Sequence, residues 1–303
     1  MFAVAKIVLI AYFLSFPIFA AFGEGFFLEN QRPRFNSITQ SDGLPNNSVS
    51  SIFQDRRGLM WFGTQSGLVQ YDGHSFRTFR NEPFVTSSLP HDLVQTSYYD
   101  DVTDTIWVGS YAGLARYRDE SSDFESFTHD PERQDSLSGN VVIAISRGPD
   151  GDLWVGTQSG LNRMREDGSF ELIPTRHNVI RDLFLDAQGT LWVGSLAGLS
   201  RWDQEAQELA PIEDLEAANV MAIDEIESGV LVLGTWEVEG YDGGVVVFSE
   251  KHGELRRHQF STNTIYTVLA ASADSIPKAM SGRSTAPSPS PGPPVRPDWP
   301  TIS

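Results

Sequence analysis

The sequence predicts an all-β protein, a β-propeller built from four-stranded antiparallel blades. Three observations support this prediction. A Trp-x-Gly pattern returns along the chain in steps of 38 to 47 residues. Each repeat holds four short runs of strand-forming residues separated by turn signals, and helical periodicity is absent beyond the first 23 residues. Repeats of this length with four strands are typical of propeller blades.

The first segment of the chain predicts export. Lys6 is followed by an uncharged apolar run from Ile7 to Phe22, and small residues such as Ala21 and Gly23 close the segment. This order is typical of a secretory signal peptide over residues 1–23, and it predicts a periplasmic or secreted protein. The alternative is an uncleaved N-terminal anchor, which would be the only contact with a membrane.

A framework of tryptophan and glycine defines the repeats. A core-packing role is expected for each tryptophan, because stacked sheets need one large apolar residue per repeat, and each paired glycine allows close backbone approach. A fifth, weaker copy keeps only its glycine. The framework residues are Trp61, Gly63, Trp107, Gly109, Trp154, Gly156, Trp192, Gly194 and Gly234.

The first repeat shows how a unit divides into strands. Strands are predicted over residues 49–54, 59–64, 68–71 and 75–80. Asp55-x-x-Gly58 provides the first turn, since aspartate accepts hydrogen bonds from its own turn and glycine tolerates positive φ. Asp72-Gly73 provides the last hairpin turn.

The same repeat resembles a known family. The run DGLPNNSV at residues 42–49, the Asp55-x-x-Gly58 turn and the run WFGT at 61–64 with Gly67-Leu68 after it resemble the two-component regulator propeller repeat. That family forms the periplasmic sensor region of bacterial hybrid histidine kinases and some diguanylate cyclases. The resemblance covers about Phe35 to Ala270 and implies a ligand-sensing module. The fifth copy departs from it, because it lacks the tryptophan and inserts residues 236–243.

The propeller is predicted over residues 34–270, as five blades and a partial sixth. Residues 34–39 look like a last-strand fragment that clasps a terminal blade, and residues 263–269 like the first strand of a sixth unit. The ring is then either an open arc or a strained small ring. Residues 271–303 are rich in proline and serine and are predicted to be disordered. Because the sixth repeat breaks mid-pattern, we interpret the chain as a truncated or frame-shifted gene product.

Composition and motifs limit the chemistry. The 303 residues hold 40 Asp+Glu against 22 Lys+Arg, a net charge of −18, which excludes nucleic acid as the main partner. With no cysteine there are no disulfides and no thiol catalysis. No histidine pair has metal-ligand spacing, and acidic runs such as Asp100-Asp101, Asp150–Asp152 and Glu237–Glu239 complete no calcium loop. We therefore predict no metal, no cofactor and no catalytic residue, and without an output domain neither kinase nor cyclase activity.

The ligand site is predicted on one face of the propeller. Entry loops to the first strands and turns between the second and third strands share that face, and their residues differ between copies. Amides and aromatics there suit a small molecule or an oligosaccharide. A secreted propeller lyase or glycoside hydrolase and a scaffold for protein partners remain alternatives, and a dimer could form through a missing output region. The candidate residues are Asn47, Gln65, His91, Asp92, Tyr111, Asn140, Gln158 and Trp236.

Overall fold

The computed structural model of the protein describes residues 37–216, 218–236 and 243–258, together with residues 265, 267 and 268. These residues form five four-stranded antiparallel sheets, each made of four consecutive strands, so the predicted all-β propeller architecture is confirmed. In chain order the strands are β1 Val49–Gln54, β2 Met60–Thr64, β3 Gly67–Tyr71, β4 Phe76–Phe79, β5 Val94–Asp100, β6 Thr105–Ser110, β7 Gly113–Arg118, β8 Asp123–Phe127, β9 Val142–Arg147, β10 Leu153–Thr157, β11 Gly160–Met164, β12 Phe170–Ile173, β13 Ile180–Leu185, β14 Leu191–Ser195, β15 Gly198–Asp203, β16 Glu208–Pro211, β17 Asn219–Glu227, β18 Val230–Trp236, β19 Gly244–Ser249 and β20 Gly253–His258.

Side-chain hydrogen bonds and a glycine with positive φ stabilise the turns of blade one. Asp55 accepts hydrogen bonds from the backbone N–H groups of Arg57 and Leu59 at 2.9 and 3.0 Å. Gly58 has φ of 82°, a left-handed conformation that favours glycine. Asp72 accepts from the N–H groups of His74 and Ser75, which fixes the β3–β4 hairpin. Side-chain acceptors therefore define where strands β1 and β3 end.

The first strand of every blade carries a register shift immediately after its first β-branched residue, as between Val94 and Thr96 of β5. That β-branched side chain lies against the framework glycine of the preceding blade. A methyl group added at Gly109 would lie 2.7 Å from Cγ1 of Val142, and one at Gly156 would lie 2.6 Å from Cγ2 of Ile180. The glycine thus allows the blades to approach closely. The pairs are Gly63 with Val94, Gly109 with Val142, Gly156 with Ile180, Gly194 with Val220 and Gly234 with Ile265.

The core lies between neighbouring blades. Strands β1, β5, β9, β13 and β17 are the inner strands, and each packs on the inner strand of the next blade. Among the described elements no comparable contact joins β17 to β1. The tryptophans Trp61, Trp107, Trp154 and Trp192 are 0%, 6%, 1% and 3% exposed, so each is buried in this interblade core.

Several predictions fall outside the described residues. They are the signal peptide, the tail from residue 271 and residues 34–36 of the predicted clasp, whereas Ser37, Ile38 and Thr39 of the clasp are described and are not in a strand. Of the sixth unit, Ile265 is buried against Val232 and Val245 of blade five. Ile265 lies against Gly234 in the same way that Ile180, the first β-branched residue of blade four, lies against Gly156.

Candidate functional site

The entry loops and the turns between second and third strands lie on one edge of blades one to four, and the entry loop of blade five lies on the same edge. Register shows this directly, because the start of each first strand pairs with the end of the second strand, as Val94 pairs with Ser110 and Ile180 with Ser195. We call this face the entry rim. It comprises the entry loops 39–48, 81–93, 128–141, 174–179 and 212–218 with the turns at 65–66, 111–112, 158–159 and 196–197.

Three predicted entry-loop residues hold their own loops together. The side-chain oxygen of Asn47 accepts a hydrogen bond from the N–H of Gln40 at 2.9 Å. Asp92 accepts from the N–H of Asn81 at 2.7 Å, and Asn140 from the N–H of His129 at 2.8 Å. One oxygen of each side chain is therefore occupied by loop backbone, which gives these residues a structural task on the rim.

The turn residues present their side chains outward. The backbone N–H groups of Gln65, Tyr111 and Gln158 donate to entry-loop carbonyls at 3.3, 3.3 and 3.1 Å. Their side chains are exposed, Tyr111 by 45%, and Trp236 at the end of β18 is 37% exposed. These four are thus the predicted residues best placed to contact a ligand on the rim.

One aromatic contact joins the two sets of predicted residues. The rings of His91 and Tyr111 lie 6.1 Å apart, and Nδ1 of His91 accepts the N–H of Leu93 at 2.9 Å. Because Nδ1 is an acceptor, the neutral ring carries its proton on Nε2 and can donate from there. His91 and Tyr111 are thus two candidate residues whose side chains contact each other on the rim.

A relationship that the sequence analysis missed links the Asp-x-x-Gly turn to the tryptophan. Asp55 and Asp186 each accept the indole N–H of the tryptophan six residues later, Trp61 at 3.0 Å and Trp192 at 2.8 Å. Burial alone would raise the pKa of Asp55. The hydrogen bonds from Trp61, Arg57 and the N–H of Leu59 outweigh burial and hold that pKa below its usual range. The sequence signal for this contact is the shared spacing of six residues between Asp55 and Trp61 and between Asp186 and Trp192.

Acidic residues on the opposite edge are paired with arginine. Arg147 binds Asp100 across the interface of blades two and three at 2.8 Å. Arg163 binds Asp150 at 3.0 Å and Asp152 at 2.6 Å. These carboxylates, which the sequence raised as weak calcium candidates, serve structural ion pairs. Within the described part of the chain, no group of three or more His, Asp or Glu side chains could hold a metal ion. Residues 237–239 lie outside it.

One carboxyl group on an inner strand has a strongly shifted pKa. Burial raises the pKa of Asp182 to about 7, and the carboxylate of Asp224 adds to the rise. Hydrogen bonds from the N–H groups of Ile223 and Leu183, at 2.7 and 2.9 Å, act in the opposite direction. The group thus titrates near neutral pH at the interface of blades four and five.

Five four-stranded blades packed through their first strands define a β-propeller, and the repeat within it can now be identified. Three segments of the chain, residues 43–66, 136–159 and 176–197, match the model of the two component regulator propeller family. The resemblance predicted from the first repeat is thereby confirmed.

Individual proteins are similar to parts of the chain. A histidine kinase of Formosa agariphila, Histidine kinase P4, is 43% identical over 61 residues, which are 20% of this chain and 4% of that protein. The extracellular domain of a hybrid two component system from B. thetaiotaomicron is 22% identical with a TM-score of 0.50, covering 74% of this chain and 36% of that one. The chain therefore spans about a third of that extracellular domain.

Enzymes share the same fold. Virginiamycin B lyase from Staphylococcus aureus is 14% identical with a TM-score of 0.55, covering 74% of this chain and 75% of the lyase. At such identities the likeness to both solved structures shows the propeller fold alone. In the part of the chain that the structure describes, no helix is long and apolar enough to cross a membrane.

Proposed function

We propose that this chain is the ligand-sensing propeller of an exported two-component sensor, and that it acts by binding and not by catalysis. One observation carries the proposal. The framework of each repeat is buried, whereas the entry-rim turns and the end of β18 present exposed side chains that differ from blade to blade: Gln65, Tyr111, Gln158 and Trp236. Variable exposed residues on a rigid scaffold are typical of a recognition surface.

The chemistry of these residues suits an oligosaccharide. Glutamine side chains both donate and accept hydrogen bonds, as sugar hydroxyls do, and aromatic side chains offer an apolar face to a pyranose ring. The His91–Tyr111 pair adds a ring and an N–H donor at one place. The proposed ligand is therefore a neutral or weakly charged glycan that lies across the turns of neighbouring blades.

Export is part of the same proposal. The N-terminal segment has the composition of a signal peptide, and the similar sensor domain from B. thetaiotaomicron is extracellular. A strongly acidic chain without cysteine suits a periplasmic domain, which needs no disulfide to fold when its core is large enough.

Calorimetric titration of the purified chain with a panel of oligosaccharides tests the binding claim. The expected result is saturable binding of one glycan class that Tyr111→Ala weakens about tenfold, since loss of an aromatic contact costs on the order of 1 kcal/mol or more. Val102→Ala is the control, because Val102 is 67% exposed on the opposite edge. No binding by any glycan, or binding that Tyr111→Ala leaves unchanged, would contradict the rim assignment. Turnover of a bound glycan would instead favour an enzyme.

A further inference from the structure

Four of the five entry loops bury a leucine that stands five residues before the β-branched residue of the first strand. Each of these loop leucines packs into the core beside the blade it precedes. Leu137, for example, clusters with Val142, Val155 and Phe170 of blade three. A leucine therefore fills the space between entry loop and blade at four places. The loop leucines are Leu44, Leu89, Leu137 and Leu215, with exposures of 5%, 0%, 0% and 0%.

Blade four lacks this leucine. Thr175 stands five residues before Ile180, in the position that a loop leucine holds elsewhere. A cavity of about 250 Å³ lies there, and Thr175 and Ile180 are part of its lining. A threonine side chain is polar and has one heavy atom fewer than leucine, so Thr175 covers less of the wall than a loop leucine does, and the loop and blade four together enclose the rest of the space.

The walls of the cavity match the surroundings of a loop leucine. Val193 and Leu209 line it. Val193 pairs with Ser200 as Val155 pairs with Asn162, and Leu209 pairs with Trp202 as Phe170 pairs with Met164. Val193 and Leu209 are thus the blade-four equivalents of Val155 and Phe170, which cluster with Leu137. The cavity therefore lies at the place where a loop leucine packs in the other blades, and polar and apolar residues both line it.

A pair of charged residues distinguishes this space from the filled ones. Ser200 lines it where blade two has Ala115, blade three has Asn162 and blade five has Val246, so a polar residue at this position is not peculiar to blade four. Arg176 and Glu208 also line it. The residue after a loop leucine is Pro45, Pro90, Ser138 or Glu216, so only the blade-four loop puts a cation at this position.

We propose that the cavity between blade four and its entry loop binds a small free amino acid with a branched aliphatic side chain. The aliphatic group would occupy the space of the missing loop leucine. The guanidinium of Arg176 would hold the α-carboxylate, and the carboxylate of Glu208 would attract the α-ammonium group. Arg176 already donates through Nη1 to Glu216, and a guanidinium has further N–H donors for a second carboxylate.

The size of the cavity agrees with a ligand of this class. Its volume of about 250 Å³ is below the ~300–1,000 Å³ of sites for drug-sized molecules. The eight rim candidates do not line it. The inference therefore stands independently of glycan binding on the rim, and it adds a second class of ligand to the propeller.

Isothermal titration of the purified chain with L-leucine tests the proposal. Wild type should bind saturably, Thr175→Leu should abolish binding by restoring the loop leucine, and Thr175→Ser should keep it because the cavity stays open. Arg176→Gln and Glu208→Gln should each weaken binding about tenfold, the loss expected for one charge-assisted contact. 4-Methylpentanoate, which lacks the ammonium group, should respond to Arg176→Gln but not to Glu208→Gln.

Ser200→Val provides a second way to fill the cavity, since valine is the native residue at this position in blade five. It should also abolish binding, with a circular dichroism spectrum like that of wild type. The proposal would be overturned if L-leucine showed no saturable binding at concentrations up to about 10 mM, which corresponds to a binding free energy weaker than about −3 kcal/mol. Binding that survives in both Thr175→Leu and Ser200→Val would overturn it equally.

Discussion

Trp192 donates its indole N–H to the carboxylate of Asp186 at 2.8 Å, and through that bond the turn of blade four is tied to its interblade core. The same carboxylate accepts the backbone N–H groups of Gln188 and Thr190 at 3.0 and 2.8 Å. A single aspartate thus satisfies three donors, one of which belongs to a buried tryptophan. Asp-x-x-Gly and Trp-x-Gly form one structural unit, repeated by Asp55 and Trp61 in blade one.

Asp186→Ala should therefore lower the free energy of unfolding by about 2–3 kcal/mol, because it leaves a buried indole donor without an acceptor. Urea denaturation monitored by tryptophan fluorescence measures the change. Asp203→Ala is the matched control, since Asp203 accepts two backbone N–H groups of its turn but no indole. Equal losses for the two variants would show that the indole bond contributes nothing.

Gly156→Ala should destabilise the interface between blades three and four by about 1–3 kcal/mol, the usual cost of overpacking. The added methyl group would lie 2.6 Å from Cγ2 of Ile180, with no room to relax toward Ala144 at 3.3 Å. In a double-mutant cycle with Ile180→Ala the two losses should be less than additive, because the second change removes the clash. Additive losses would mean that Ile180 does not limit the space at Gly156.

Asp182 should make stability depend on pH. Its folded pKa of about 7 lies above the ordinary value of 3.8, so the folded chain holds a proton that the unfolded chain releases. The contribution of Asp182 to stability is therefore present at pH 4 and is lost as the pH rises through 7. Asp182→Asn cannot ionise, so its stability relative to wild type should increase from pH 4 to pH 8. Thermal melts of both proteins at these pH values measure the difference, and a constant difference would contradict the shifted pKa.

Much of the fold can be predicted from the sequence because the repeat carries its own turn chemistry. Strand β1 was predicted over residues 49–54 and is found there, and the predicted ends of β2, β3 and β4 differ by one residue. The small differences arise where turn residues such as Gly67 pair in the ladder, which depends on the neighbouring strand. The family resemblance rested on the same turn residues.

The site was harder to predict, since pattern alone does not separate a loop-holding side chain from a ligand-binding one. Asn47 and Asn140 recur at the same place as turn residues do, and the structure shows each bound to loop backbone. The sequence alone does not single out Thr175, because the loop leucines of the other blades can be recognised only from their packing in the core. Only the positions of Leu137 and its equivalents in the core show what Thr175 leaves open.

The central claim is that blade four has an open cavity at the position where the other entry loops bury a leucine. Substituting leucine for Thr175 and threonine for Leu137, its equivalent in blade three, tests this claim most directly. Thr175→Leu should place an apolar side chain against the blade-four wall of the cavity and raise the free energy of unfolding by about 1 kcal/mol from buried apolar surface. Leu137→Thr should open the equivalent space in blade three and lower the free energy of unfolding by about 2–4 kcal/mol. Urea denaturation of both variants beside wild type gives these values. A loss of stability in Thr175→Leu would show that the position cannot accept a leucine and would contradict the account.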